Sequence, residues 1–287
     1  MKSSYLKKWS AWRLIAIGII SAAIITGCGG GGDTTSAGVG TGGTGSLAKT
    51  ISGSVADGYL VNATVFLDRD GNYRLDAGEP VTTTDASGAY RLTVDPADVG
   101  RYTVVALARK DVTIDKDTSQ AIASSYVLSM PKDSVSDTAG SNFISPISAQ
   151  LREMMETGKY ATVQQAADAL RTRMGLPAGT VMTADYIAAN NTAVHYAARN
   201  MATLMGNQMD QVLVTSGSTI TVDVNRYRTM MGVIFSNMST ICAADNQTSM
   251  STLSSTMTTM LSNTPTTTSG QPYRNMSSAY RGMMGGM

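Results

Sequence analysis

Histidine is almost absent from this chain: His195 is the single one in 287 residues. One imidazole supports neither a Ser–His–Asp arrangement nor a His-rich zinc site. Serine and threonine are plentiful, yet none stands in a GxSxG or comparable nucleophile setting. With no convergent acid, base and nucleophile in view, the sequence does not read as an enzyme. Long apolar runs are also missing. The nearest candidate, "LIAIGIISAAIITG" at 14–27, is too short and too rich in small residues for a comfortable membrane span. Excess charge of one sign is lacking as well: the net charge is +1, and Lys2, Lys7, Lys8 and Arg13 contribute four positive charges near the start. Without those four the chain stands near −3, which excludes the strongly basic surface that nucleic acid requires.

Those four charges precede the apolar run, and together they read as a secretory leader over residues 1–28. "ITGC" at 25–28 resembles the bacterial lipobox. That resemblance implies cleavage before Cys28, diacylglycerol on its sulfur and a further acyl chain on its amine, a combination that anchors stably where one chain does not. Cys242 is then the only thiol left, and no intrachain disulfide can form. Gly29 rather than Asp follows the Cys, which in the enterobacterial sorting pattern favours the outer membrane. Residues 29–49 open with "GGGGDTTSAGVGTGGTGSL", a Gly/Thr/Ser-rich tether that holds the next domain clear of the lipid.

Residues 50–140 carry short β-patterned runs separated by Gly/Asp turns: "ISGSVADG", "ATVFL", "VTTTDASGAYRLTV", "RYTVVALA" and "AIASSYVLSM". Such spacing predicts a small β-sandwich. Residues 141–262 switch to helical periodicity. Expected helices cover "SAQLREMMETG", "TVQQAADALRTRMGL" with Thr162 as cap, 185–214 with Asp185 as cap, 223–244 and 249–261. The expectation is therefore an α+β protein, a small β-sandwich followed by an α-helical bundle, with 263–287 a loose Met/Gly/Ser-rich tail.

"FLDRDGNYRLDAGEP" (66–80) concentrates the chemistry. Asp68, Asp70, Asn72, Asp76 and Glu79 fall at offsets 1, 3, 5, 9 and 12 of a twelve-residue window, and Arg74 at offset 7 could lend its backbone carbonyl. Alternating hard oxygens in a curled loop suit Ca²⁺, and four carboxylates so close together repel one another without a cation. Tyr73 sits where an EF-hand needs Gly, so the pattern is not an EF-hand. The plain alternative is a solvated hairpin whose Asp, Asn and Gly simply make turns. A structural Ca²⁺ is the expectation.

Methionine, 19 residues in all, raises a second metal. "MSTLSSTMTTM" (250–260) and "RGMMGGM" (281–287) could offer thioethers to Cu(I) in a periplasmic metal-handling protein. Against that, Met250, Leu253, Met257, Met260 and Leu261 share one helical face, as a core-filling stripe does.

"SGSVADGYLVNATVFLDRDGNYRLDAGEPVTTTDASGAYRL" (52–92) resembles the Cna B-type and carboxypeptidase-regulatory-like modules of bacterial surface proteins. The matching residues are Ala63, Val65, Leu67, Asp68, Gly71, Asn72, Asp76, Gly78, Glu79, Pro80, Thr84, Asp85, Gly88 and Tyr90. Asn62 replaces the usual Gly, and Asp70 the usual Asn. "ISPISAQLREMMETGKYATVQQAADALRTRMGLP" is similar to the helix pair that often follows such modules, whereas residues 185–287 match no comparable pattern. The resemblance implies an immunoglobulin-like or transthyretin-like sandwich used as a stalk, spacer or adhesin. The expected protein is thus lipid-anchored at the outer membrane or cell surface, with a protein or surface polymer as its partner.

Overall fold

Strand β1, Lys49–Val55, is the centre of a three-stranded sheet. Along one side it pairs antiparallel with β5, Ala89–Val94, where Tyr90, Leu92 and Val94 point inward and Arg91 and Thr93 outward, the period-2 signature of a half-buried strand. Along the other side it pairs parallel with β10, Asn142–Ile144. The computed structural model describes residues 47–216, 219–243 and 247–266, the side chains of 215–220 excepted. The leader with Cys28, nearly all of the tether and the tail from 267 lie outside the described residues.

A second, four-stranded antiparallel sheet runs in the order β4 (Val81–Thr83), β3 (Thr64–Asp68), β6 (Thr103–Ala108), β9 (Tyr126–Met130). All five residues of β9 are buried, because helices cover the face it does not turn to the strands. A small sheet joins β2 (Leu60–Val61), β7 (Ile114–Asp115) and β8 (Gln120–Ala121).

Helix α1, Pro146–Glu156, begins where β10 ends. Ser145 and Ser148 form a reciprocal capping box, Oγ of each accepting the other's backbone N–H at 3.2 and 2.8 Å, and Pro146 sits in the first turn, where a missing N–H costs nothing. This helix is buried continuously from Pro146 to Met154, so its polar residues must find partners inside. Helix α2, Val163–Arg173, starts at the Thr162 cap as its sequence predicts, with the Thr162 hydroxyl accepting from Gln165 N at 3.2 Å. Helix α3, Thr192–Val212, buries Val194, Ala197, Ala198, Met201, Leu204, Met205 and Met209 at helical spacing. Strands β11 (Leu213–Ser216) and β12 (Thr219–Val222) then form a hairpin, followed by α4 (Val224–Ser236, capped by Asp223), α5 (Met238–Cys242) and α6 (Gln247–Asn263).

The expected 185–214 helix is shorter than its pattern. Asp185 Oδ1 accepts from Ile187 N (3.0 Å) and Ala188 N (2.9 Å), closing a turn of its own. Asn190 adopts φ 53°, and Asn191 provides the cap of α3 at Val194 N. Asn side chains favour such caps and turns over helix interiors. At the other end Leu213 and Val214 leave the helix for β11. Within α6, Leu253, Met257 and Leu261 are buried and Met250 packs half-buried against the core, while Met260 is 44% exposed, so four residues of the expected five-residue stripe make the contact.

Strands and helices share one buried core. Tyr227 of α4 is fully buried and donates its hydroxyl to the Val127 carbonyl of β9 at 3.0 Å.

Candidate metal centre

The acidic loop connects β3 to β4, and its first carboxylate is also its organiser. Asp68 ends β3, is 2% exposed, and gathers the adjoining turn. Its Oδ1 accepts from Gly71 N (2.9 Å) and Asn72 N (3.0 Å), and its Oδ2 from Tyr73 N (3.2 Å). At the far end Glu79 spans the mouth: Oε1 accepts from Arg69 N at 2.7 Å, Oε2 from Asp76 N at 2.9 Å. Gly71 and Gly78 supply the left-handed backbone that lets so short a chain double back.

Asp68, Asp70 and Glu79 each bring a carboxylate oxygen within 4.8 Å of the other two. Oxygens around one Ca²⁺ at about 2.3–2.6 Å lie up to about 5 Å apart, so three of the six expected ligands are already grouped as an ion requires. The other three stand differently. Asn72 turns its amide nitrogen to Asp70 Oδ2 (2.8 Å) and Asp76 Oδ2 (2.7 Å), while its oxygen accepts from Arg74 N (2.7 Å). Asp76 pairs with the Arg74 side chain at 3.1 Å and lies outside the three-carboxylate group. Arg74 therefore contributes contacts to Asn72 and Asp76, its side chain turned to the half-exposed surface.

Charge in the loop is unevenly neutralised. Arg152 serves Asp68 and Arg74 serves Asp76, while Arg69 donates to Asp98 at 2.6 Å and to the Gly78 carbonyl at 3.1 Å. Among the described residues neither Asp70 nor Glu79 has an ion pair. Partial desolvation first, with the neighbouring carboxylates adding, raises both groups from their ordinary values against the backbone amides they accept from. A divalent cation would relieve that repulsion where it is least compensated.

Beneath the loop lies a buried ionic layer that sequence reasoning missed. Tyr73 holds φ 61°, the left-handed conformation for which an EF-hand uses Gly, and its ring is 4% exposed. That ring packs 4.9 Å from Tyr227, and the Arg152 guanidinium lies 3.8 Å from its centroid, burial that offsets the backbone strain. Its hydroxyl donates to Glu153. Arg152 Nη2 reaches Asp68 Oδ2 at 3.2 Å, and Arg228 of α4 lies 3.4 Å from Glu153 and 3.6 Å from Glu156. Burial opposes the Arg152 charge, yet Tyr73, Asp68, Glu153 and Glu156 together hold its pKa above the ordinary value. For Glu153 burial outweighs both arginines, and its pKa is raised. The only signal available beforehand was Tyr73 itself, a bulky residue at a position that asks for Gly.

Of the Met-rich stretches, 281–287 lies outside the described residues, and in 250–260 Met257 is fully buried in the core while Met260 is exposed. Cys242 is half-buried, and burial pushes its thiol up to about 11. No protein-family model, curated protein or solved structure matches this chain, so its functional reading rests on the chemistry of the loop and its surroundings.

Proposed function

We propose that this chain is a lipid-anchored protein of the outer membrane or cell surface, in which Ca²⁺ bound by the 66–80 loop staples the fold and the helices present a surface to a protein or polymer partner. The sheets β10–β1–β5 and β4–β3–β6–β9 are read as the two layers of a small sandwich, with α1–α6 as a helical bundle packed against it. The role is structural or adhesive rather than catalytic, and no nucleic acid is involved. The single observation that carries the calcium reading is the convergence of Asp68, Asp70 and Glu79 within 4.8 Å. The layer under the loop supports the choice of a staple, since Asp68 and Tyr73 tie the loop directly to Arg152 and Glu153 of α1.

The test is thermal unfolding of the full chain in detergent, with Ca²⁺ and with chelator. Saturation at 100 times Kd stabilises by about 2.7 kcal/mol, enough to raise Tm by several degrees. The gain is expected to vanish in Asp70→Asn/Glu79→Gln, each protein's melt in Ca²⁺ being read against its own melt in chelator, because Glu79→Gln also turns an amide donor towards the N–H of Arg69 or Asp76. An unchanged Tm would reduce the loop to a polar turn. The anchor is tested separately by Cys28→Ala: processing and membrane association should both be lost, and their persistence would contradict the localisation.

A further inference from the structure

Away from the acidic loop, a second group of titratable side chains meets where the turn between β1 and β2 lies against the segment leading into α3. Asp57 in that turn is 8% exposed. Its Oδ2 accepts from the Tyr126 hydroxyl of β9 at 2.8 Å, while its Oδ1 is buried with no hydrogen-bond partner. The Tyr186 hydroxyl lies 3.1 Å from the Ala56 carbonyl and 3.3 Å from that of Asp57. The Tyr186 ring in turn stacks on His195 of α3, with centroids 5.5 Å apart at 29°. Tyr59 closes the other side by donating to Asp185 Oδ2 at 2.8 Å.

Acidic groups dominate the junction. Asp115 of β7 and Asp117 of the next turn lie over Gly58, where an added Cβ would stand 2.3 Å from Asp115 Oδ1 and 2.6 Å from Asp117 Cγ. The nearby basic side chains turn to Asp117: His195 Nε2 lies 2.7 Å from its Oδ2 and Arg199 Nε 3.6 Å from the same oxygen. Among the described residues no cation pairs with Asp57.

We propose that Asp57 is a proton-operated latch between the 56–59 turn and the 185–195 segment. Protonated, the carboxyl stays buried beside the Tyr126 hydroxyl and the tyrosine contacts close over it. Ionised, it has one oxygen without a donor and faces Asp115, so the turn is driven outward and the 185–191 segment loosens. The electrostatics agree with the geometry. Burial first, with Asp115 adding, pushes the Asp57 pKa up from the ordinary 3.8 to about 7 against the opposing Tyr126 hydrogen bond and the weaker pull of the Asp57 and Gly58 backbone amides. Because the folded value is the higher one, the closed junction is most stable below 3.8 and loses stability as pH rises towards 7, beyond which the dependence levels off.

Hydrogen exchange on the full chain in detergent tests this, read at amides that belong to the junction: Ala56 (to the Ile144 carbonyl), Lys116 (to Tyr59), Ala189 (to Asp185) and Asn191 (to Tyr186). After correction for intrinsic exchange, their protection is expected to fall about tenfold per pH unit between roughly pH 4 and 7, then to level off. Amides of the β3–β6 pairing should not follow. Asp57→Asn, neutral at every pH, should abolish the slope, and Tyr126→Phe, which removes the opposing hydrogen bond, should carry it to higher pH. A flat wild-type profile, a slope that survives Asp57→Asn, or a slope shared equally by every protected amide would overturn the proposal. So would a slope lost in His195→Gln but kept in Asp57→Asn, which would assign the proton to the His195–Asp117 pair.

Discussion

Asp68→Ala is expected to destabilise the protein by about 3–5 kcal/mol, the usual cost of stranding a buried charge. The side chains of Asp68 and Arg152 are 0% and 3% exposed, so neither can turn to water when the other is removed. Loss of the carboxylate also leaves the amides of Gly71 and Tyr73 without their acceptor and the Asn72 amide with Asp70 Oδ1 alone, at 3.1 Å, and the bonds to Asp68 set the curl of the loop. Arg152→Met should cost clearly less. It keeps most of the stem's packing, and Asp68 retains its three amide donors. Urea unfolding of both single variants and the double variant separates the terms, and the pair should show a coupling of about 1–3 kcal/mol. Two results would contradict this: Asp68→Ala costing under about 1 kcal/mol, or Arg152→Met costing more than Asp68→Ala. One practical consequence is that Asp68 is the wrong residue for testing cation binding, because its loss removes the loop's shape together with a proposed ligand.

Gly53→Ala should be worse still, exceeding the 4–5 kcal/mol above which single substitutions are exceptional. Gly53 lies at the centre of β1, opposite Tyr90 on one side and Asn142 on the other. A Cβ there would stand 1.6 Å from the Asn142 carbonyl oxygen and 2.5 Å from its carbon, both backbone atoms that no rotamer change can move. Asn142 cannot yield easily. Fully buried, it donates from Nδ2 to the Ser52 and Ser136 carbonyls and accepts from Ser136 N at Oδ1. Displacing β10 would also displace α1, which starts just beyond it and carries Arg152 and Glu153. Against a typical total stability of about 5–15 kcal/mol, the variant should be largely unfolded at growth temperature. Gly232→Ala is the control: nothing lies within 4 Å of a Cβ there, and an exposed helix interior should gain about 0.5–1 kcal/mol. Circular dichroism melts would show one variant collapsed and the other slightly raised. A Gly53→Ala protein melting within a few degrees of wild type would contradict the close β1–β10 contact.

How much of this was legible depends on range. Where local chemistry decides, sequence sufficed: the Thr162 cap stands as read, and so does the β-pattern of "VTTTDASGAYRLTV", which becomes β4, a turn and β5. The loop's acidic pattern was visible, and three of its six candidate ligands meet. Elsewhere one local preference beat another, as at Asn190 and Asn191, which delay α3 from Asp185 to Thr192. "LVTSGSTITV" held an alternating pattern around Ser-Gly that reads as a hairpin, but a preceding helical period masked it. Long-range partners were out of reach. Nothing local says that Arg152 answers Asp68 across 84 residues, or that Tyr73 meets Tyr227. Nor does a lone "ADG" at 56–58 announce a buried acid facing tyrosines from two other elements.

Calorimetric titration of Ca²⁺ into the full chain in detergent, with Asp70→Asn/Glu79→Gln as the matched control, tests the central claim most directly. The account predicts a single saturable site in the micromolar-to-millimolar range, absent from the double variant although that protein stays folded. No binding heat from the parent, or equal binding by both proteins, would contradict it and leave 66–80 as a polar turn held in place by Arg152 and Tyr73.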